Sequence, residues 1–481
     1  MYSSNLERDA APTTNQPDWR NRHNLKKSEN LSKTRQSSRL SRLIVIWLSG
    51  TIVLLPVKIL NLPRNFELVD IWILMGLPVI LLFFITRRRR QIVNLSYAVP
   101  MWLILISSLT SAFLAPATLN ILVVLIKEIY LFIWFIAVTV FLNMLNPRDF
   151  RRVLYIWSGV VILHALLMIA QFLSPEIWQF TNSLGGNTAR IEGYRPAGLF
   201  ICDKAGCANK AAYFQLLGFV PLLLAGFSKK TTAFLGIFLF ASMLTSGSMG
   251  ATLAFSSGLV GAVFAIAYFK KNLLLVIKYF MNFAFAISLL GGLFFIVVSQ
   301  NQSYLDHFEK IFVGRYERSS EGRFSLWQRG IDVLLERNSF LWGVGPENFR
   351  VLDAAQTDNQ LHNDTLAFLV ERGLIGLLGL ALFAGITLRN AIRILQISNK
   401  APERARLEMV VFLAVFIATI VESLTHQLFR TRELWLVLAV QEVVYFGMIT
   451  TENGIVPAIR TMHESLRYHP GSHVQPEAAA D

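Results

Sequence analysis

Charge is the scarcest property of this chain. Asp, Glu, Lys and Arg make up only 16% of its 481 residues, against 54% hydrophobic ones, where a soluble globular protein is roughly a quarter charged. The length alone suggests about three soluble domains. This composition, with a mean hydropathy of +0.48, excludes them and points to lipid as the solvent. Cysteine is nearly missing: Cys202 and Cys207 are the only two, so at most one disulfide bridge is available. Apolar runs are missing from residues 1–41 and again from 451 onward, and both polar tails are expected to be disordered. The first apolar stretch lies too far in for a cleavable signal peptide and is long enough to span a membrane instead.

What the chain does have is apolar stretches of membrane length. A span needs about 20 mostly apolar residues, and twelve stretches qualify, centred on 42–60, 68–86, 97–115, 119–143, 153–173, 207–227, 231–246, 249–268, 274–298, 365–387, 408–424 and 434–450. The seventh and eighth share the turn Thr245-Ser246-Gly247-Ser248-Met249-Gly250, and read as one helical hairpin or as a broken pair. The net charge of +14 would suggest a nucleic-acid partner in a soluble protein, but its location excludes one. Nine Lys or Arg lie in the first 42 residues, followed by Arg87 to Arg90, by Arg148, Arg151 and Arg152, by Lys229-Lys230, by Lys270-Lys271, and by the segment from Arg389 to Arg406. All fall on one side when the spans are threaded in order, as the positive-inside rule expects. Such runs act as topology signals and contacts to anionic lipid.

The expectation is an all-α polytopic membrane protein with about twelve transmembrane helices, since only helices or closed barrels satisfy backbone groups in lipid. A basic cytoplasmic tail covers 1–41, helices one to nine 42–298, a long extracytoplasmic loop 299–364, helices ten to twelve 365–450, and a cytoplasmic tail 451–481. Cys202 and Cys207 then lie in the second outside loop, where an oxidising compartment permits a bridge; two free thiols are the alternative.

Three outside elements carry polar chemistry. The first, 174–206, holds Asn187, Arg190, Arg195 and Lys204, either snorkelling to the interface or meeting an anionic headgroup. The second is the turn Ser246–Gly250, whose small residues suit close helix packing and whose amides at the start of the eighth span suit an anion. The third is the loop 299–364. Residues 324, 327, 331, 334 and 335 are apolar at helical spacing, which predicts an amphipathic helix against the membrane surface. A turn follows at Gly343-Val344-Gly345-Pro346, and the loop ends in His362-Asn363 at the edge of the next span. A lone histidine is more often structural than catalytic, so its context has to decide.

That context is a set of motifs: Gly322-Arg323-Phe324-Ser325-Leu326-Trp327, then Leu341-Trp342-Gly343-Val344-Gly345-Pro346-Glu347-Asn348-Phe349, then His362-Asn363-Asp364-Thr365-Leu366, then Glu371-Arg372-Gly373-Leu374-Ile375-Gly376. Together they resemble the O-antigen ligase/polymerase superfamily over about 320–380. Arg195-Pro196-Ala197-Gly198-Leu199-Phe200, with Asn209 after it, resembles a further family stretch. The turn before the eighth span departs from the pattern, with Met249 where the family usually has an arginine.

The resemblance implies a bundle similar to the GT-C glycosyltransferases in a bacterial plasma (inner) membrane, acting on a polyprenyl-diphosphate-linked glycan. A flippase and a chain-length regulator are implied partners. His362 would be the general base that activates an acceptor hydroxyl, and Arg323 would hold the departing diphosphate. Arg195, Arg190, Arg318, Asn363 and Lys210 would complete the substrate site. The scheme requires no metal or other cofactor, and the loops hold no Asp-x-Asp pair of the kind metal-dependent sugar transferases use, although Asp358 and Asp364 lie near His362. The motif flavour favours a polymerase of exopolysaccharide or O-antigen repeats; a ligase moving the glycan to lipid A core or protein is the alternative. A transporter would use ionisable groups within the spans, such as Lys127-Glu128, His164, Glu371-Arg372 and Gln441-Glu442. A purely structural or assembly role is a third class.

Overall fold

The computed structural model describes residues 41–57, 67–86, 95–115, 119–183, 195–200, 206–270, 322–352, 360–398 and 403–450, with scattered helical positions between 274 and 299. Among the described residues every regular element is a helix. In chain order they are α1 (Ser41–Leu54), α2 (Leu68–Thr86), α3 (Ala98–Leu114), α4 (Leu119–Met144), α5 (Pro147–Leu173), α6 (Pro175–Ser183), α7 (Gly206–Leu224), α8 (Lys229–Thr245) and α9 (Met249–Lys270). There follow α10 over 322–336, α11 (Phe349–Leu352), α12 (Asp364–Ser398), α13 (Glu403–Ser423) and α14 (Arg432–Thr450).

By length and composition, five helices qualify as membrane spans among the described residues: Ile121–Met144, Pro147–Leu173, Cys207–Leu224, Met249–Ala267 and Asp364–Ser398. Helices also form on the other expected stretches, except that 274–298 lies largely outside the described residues. The turn at 246–248 separates α8 from α9. α8 then packs mainly on α5 and α7, and α9 mainly on α13. The expected outside loop 174–206 contains a helix of its own, α6. The tenth stretch was expected to end at 387, but α12 continues to Ser398. Its last turns are amphipathic: Asn390, Ala391, Ile394 and Leu395 are buried while Arg389 and Arg393 face outward.

Helix starts follow from local chemistry. Asn146 caps α5, accepting a hydrogen bond from the Asp149 amide with Pro147 in the first turn. Asn363 caps α12, its Oδ1 accepting from the Leu366 amide at 3.0 Å. Aromatic packing then fixes the α14 end of the bundle. Phe429 meets Phe368, Phe383 and Trp435 edge-on with centroids 4.9, 5.5 and 5.1 Å away, an arrangement worth roughly 0.5–1.5 kcal/mol per pair beyond area burial. Large apolar side chains such as Trp102, Phe113 and Phe264 stand exposed, as lateral faces in lipid would.

Helix α10 forms where the periodicity predicted, and of the five spaced apolar positions Leu334 is buried. Leu326 and Val333 pack with Val344, Phe349, Leu361, Ala367 and Val370, while Phe324, Ile331 and Leu335 point outward. The helix is apolar on two sides. One side docks on the turn after it and on α12, and the other is free for lipid.

Candidate active site at the 423–432 end of the bundle

At its first turns α12 breaks. Gly373 sits at φ +67°, ψ −166° inside the 35-residue helix, which at about 1.5 Å per residue runs roughly 50 Å. The break frees carbonyl groups, and the turn after α10 takes them. The Val344 amide donates to the Val370 carbonyl at 2.9 Å, the Gly345 amide to Glu371 at 2.9 Å, and the Leu374 amide to Phe340 at 3.0 Å. Backbone lies directly on backbone here. A Cβ on Gly343 would meet the Arg372 nitrogen at 2.4 Å, and one on Gly373 the Leu341 oxygen at 2.2 Å. Both residues also have positive φ, which glycine alone adopts without cost.

Docking carries α10 and residues 360–363 with it. The Trp327 indole donates to the Leu361 carbonyl at 2.9 Å, next to His362, which adopts a left-handed conformation with φ +49°. Asn363 is occupied as the helix cap. Asp364 turns its carboxylate to the loop between α13 and α14, accepting from the Leu428 and Phe429 amides at 2.8 and 3.1 Å. This ties that loop, and His426 in it, to the start of α12, where the charge of His426 acts on His362.

His426 was not foreseen as a site residue. Its Nδ1 lies 2.7 Å from Oε1 of the fully buried Glu422 and 3.0 Å from the Thr425 hydroxyl. Its Nε2 is buried without a hydrogen-bond partner among the described residues. The ring rests on the α8–α9 turn, so close that a Cβ on Gly250 would stand 2.8 Å from its Cε1. Burial first, then the cations of His426, Arg323 and Arg350, hold the His362 imidazole down at about 4. Burial also lowers Arg323, while Glu422 acts the other way. His362, Arg323, His426 and Glu422 thus share one electrostatic neighbourhood.

Arg195 stands behind the same turn. It is buried, donates from Nε to the Ser246 carbonyl at 2.7 Å and from a terminal nitrogen to Asn209 Oδ1 at 3.0 Å. Gln171 of α5 secures its strand of chain through the Ala197 and Gly198 amides, each 2.9 Å from Oε1. Arg195 therefore braces the turn. Lys210 is placed elsewhere, half exposed and 4.0 Å from Glu67, in the cluster where Arg432 pairs with Glu67 and Asp70. Arg190 and Arg318 lie outside the described residues, as do Asn187, Lys204, Asp358 and Cys202; Cys207 is disulfide-bonded. No group of three His, Cys, Asp or Glu suited to a metal ion occurs among the described residues.

The ionisable groups within the spans are largely engaged in structure. Glu128 pairs with Arg372, and its other oxygen accepts from Ser108 at 2.7 Å. His164 accepts from the Leu199 amide at 2.9 Å. Gln441 accepts from Tyr97 and donates to the Thr387 carbonyl, and Glu442 accepts from the Ser96 amide. Lys127 lies near Arg432, Lys210 and Glu67.

Residues 234–381, which include the turn, Arg323, His362 and the α12 break, match the family model described as O-Antigen ligase. The match supports the O-antigen ligase/polymerase superfamily. A comparison with curated proteins finds no match. The superfamily region spans under a third of the chain, and it stops short of Glu422 and His426, which meet its residues only in three dimensions. Helix-period spacing was the one available signal for them: Glu422 and His426 stand four apart at the end of the eleventh apolar stretch.

Proposed function

We propose that this superfamily member is a membrane glycosyltransferase that polymerises polyprenyl-diphosphate-linked oligosaccharide repeats into O-antigen or exopolysaccharide. The observation that carries this reading is the meeting of a neutral histidine, His362, with Arg323, Arg350 and His426 at one end of an apolar bundle. An acceptor hydroxyl is a weak nucleophile at neutral pH, and an unprotonated imidazole takes its proton as the bond to the anomeric carbon forms. The leaving group is a diphosphate, and Arg323 supplies charge-assisted hydrogen bonds to it.

A deletion strain complemented with His362→Ala, scored by the length distribution of its polymer, tests the reading. We expect the protein at wild-type level in the membrane with only unpolymerised single repeats. Arg323→Lys keeps charge but loses the planar fork and should shorten or abolish the polymer. Wild-type chain lengths in the histidine variant would remove it from the base role. The ligase reading is favoured by the description of the matched family, O-Antigen ligase; it predicts polymer of normal length that fails to reach its final acceptor.

A further inference from the structure

We propose that His426, backed by Glu422, is the cation that the α8–α9 turn presents to a phosphate group, and that this pair binds the diphosphate of the lipid-linked substrate. The inference rests on the glycan-transfer reading for the identity of that substrate, but not for the presence of an anion site.

The start of α9 is the positive end of a 22-residue helix, whose first amides have no partner within the helix. Ser248 satisfies one of them, accepting from the Ala251 amide at 3.4 Å. No side chain from Ser246 to Gly250 carries charge, so the turn needs a cation from elsewhere to hold an anion firmly. His426 lies in contact with that turn. Glu422 is fully buried, and its carboxylate lies 2.7 Å from Nδ1, so the negative charge stands on one side of the ring and Nε2 on the other. The opposite nitrogen, Nε2, is buried on a residue only 9% exposed and meets no hydrogen-bond partner among the described residues. Such a group costs free energy unless something completes it.

A phosphate oxygen completes it. An Nε2–H hydrogen bond to that oxygen, with the negative charge of Glu422 behind, is charge-assisted. Arg323 and His426 both act electrostatically on His362, so an anion held by the two would act on His362 in the opposite sense. The small residues of the turn also matter. With any side chain at position 250, Thr425 and His426 would be pushed off the α9 N-terminus, since a Cβ there stands 2.4 Å from the Thr425 hydroxyl.

Equilibrium binding of inorganic diphosphate, and of geranylgeranyl diphosphate, to the full-length protein in lipid nanodiscs tests the proposal. His426→Gln should weaken both by about tenfold or more, the loss expected for one charge-assisted hydrogen bond. His426→Arg, which keeps a cation, should retain most of the affinity. Wild-type affinity in a monodisperse His426→Gln protein would overturn the assignment. A second measurement avoids substitution at the site: in wild-type protein labelled with ¹⁵N-histidine, diphosphate should shift a histidine Nε2 resonance that is missing from His426→Arg, and an unmoved resonance rejects the contact. If that resonance moves while no glycan transfer is detected, the anion site stands and the transferase reading falls. If transfer occurs with wild-type affinity in His426→Gln, the reverse holds.

Discussion

His362 combines a left-handed backbone, φ +49°, with an imidazole that burial and three neighbouring cations hold at about 4 instead of 6.5. A non-glycine residue in that conformation is uncommon, although histidine tolerates it better than most, and the surroundings must fix it. They do so from both sides, through the Trp327 bond to Leu361 and the Asn363 cap. The lowered value has a sign that can be checked. In the proposed mechanism the neutral imidazole is the competent base, so activity should be lost as pH falls through the folded value, and the fold itself is penalised progressively between about 6.5 and about 4. The acid limb of kcat/KM, which reports the free protein, should therefore lie near pH 4. The acid limb of kcat should lie higher, because a bound diphosphate offsets the charges of Arg323, Arg350 and His426. A kcat/KM limb at the ordinary histidine value, with the two profiles superposed, would show that these cations do not govern the base.

The decisive element is the broken helix α12 and the turn that fills its break. Gly343 and Gly373 are where two backbones touch, and each would drive a Cβ into main-chain atoms 2.2–2.5 Å away. Gly373→Ala should cost several kcal/mol, since it combines the strain of a backbone region open essentially to glycine alone, roughly 1–3 kcal/mol, with a clash that no rotamer relieves. Gly385, in the same helix with nothing within 4 Å, is the control: Gly385→Ala should be neutral or stabilise by up to about 1 kcal/mol. Thermal unfolding in detergent, read beside glycan transfer, distinguishes the two. Equal effects would mean that the docking of 340–345 is not what holds the loop. The residues on both sides of this contact were legible as motifs, and so was the helix between 322 and 335, because apolar period and turn glycines are local signals. The contact itself was not legible. Nothing local joins position 343 to 373, or tells the buried face of α10 from the exposed one, because Leu326 and Phe324 are equally apolar. Glu422 and His426 were missed for the same reason: their value comes from Asp364 holding the loop between α13 and α14, a pairing across 64 positions.

At the scale of the whole molecule, buried charge connects the site to the bundle. Glu347, in the turn after α10, pairs with Arg430; Arg430 pairs with Glu371; Arg372 pairs with Glu371 and with Glu128 of α4, and donates to Ser108 of α3 at 2.8 Å. The path therefore runs from the loop that carries the site, through the loop between α13 and α14 and the α12 break, to two helices in the body of the protein. Composition announced such charges as costly exceptions in an apolar chain, but the partners on this path lie up to 244 positions apart and only the fold pairs them. The side chains of Arg372 and Glu128 are each 1% exposed, so an unpartnered survivor has no water to turn to. Breaking a buried pair from one side typically costs about 3–5 kcal/mol, whereas replacing both partners by apolar groups of similar volume is often close to neutral. Glu128→Leu alone should therefore lower the thermal midpoint in detergent sharply, and Arg372→Met added to it should recover most of the loss. The double variant should still lose glycan transfer relative to wild type, because Arg372 also restrains Glu371, which orients Arg430 toward the loop at Glu347. A double variant as unstable as Glu128→Leu would mean that the pair holds the bundle by its geometry and not by mutual neutralisation. Full activity in a stable double variant would show that the site does not depend on this path.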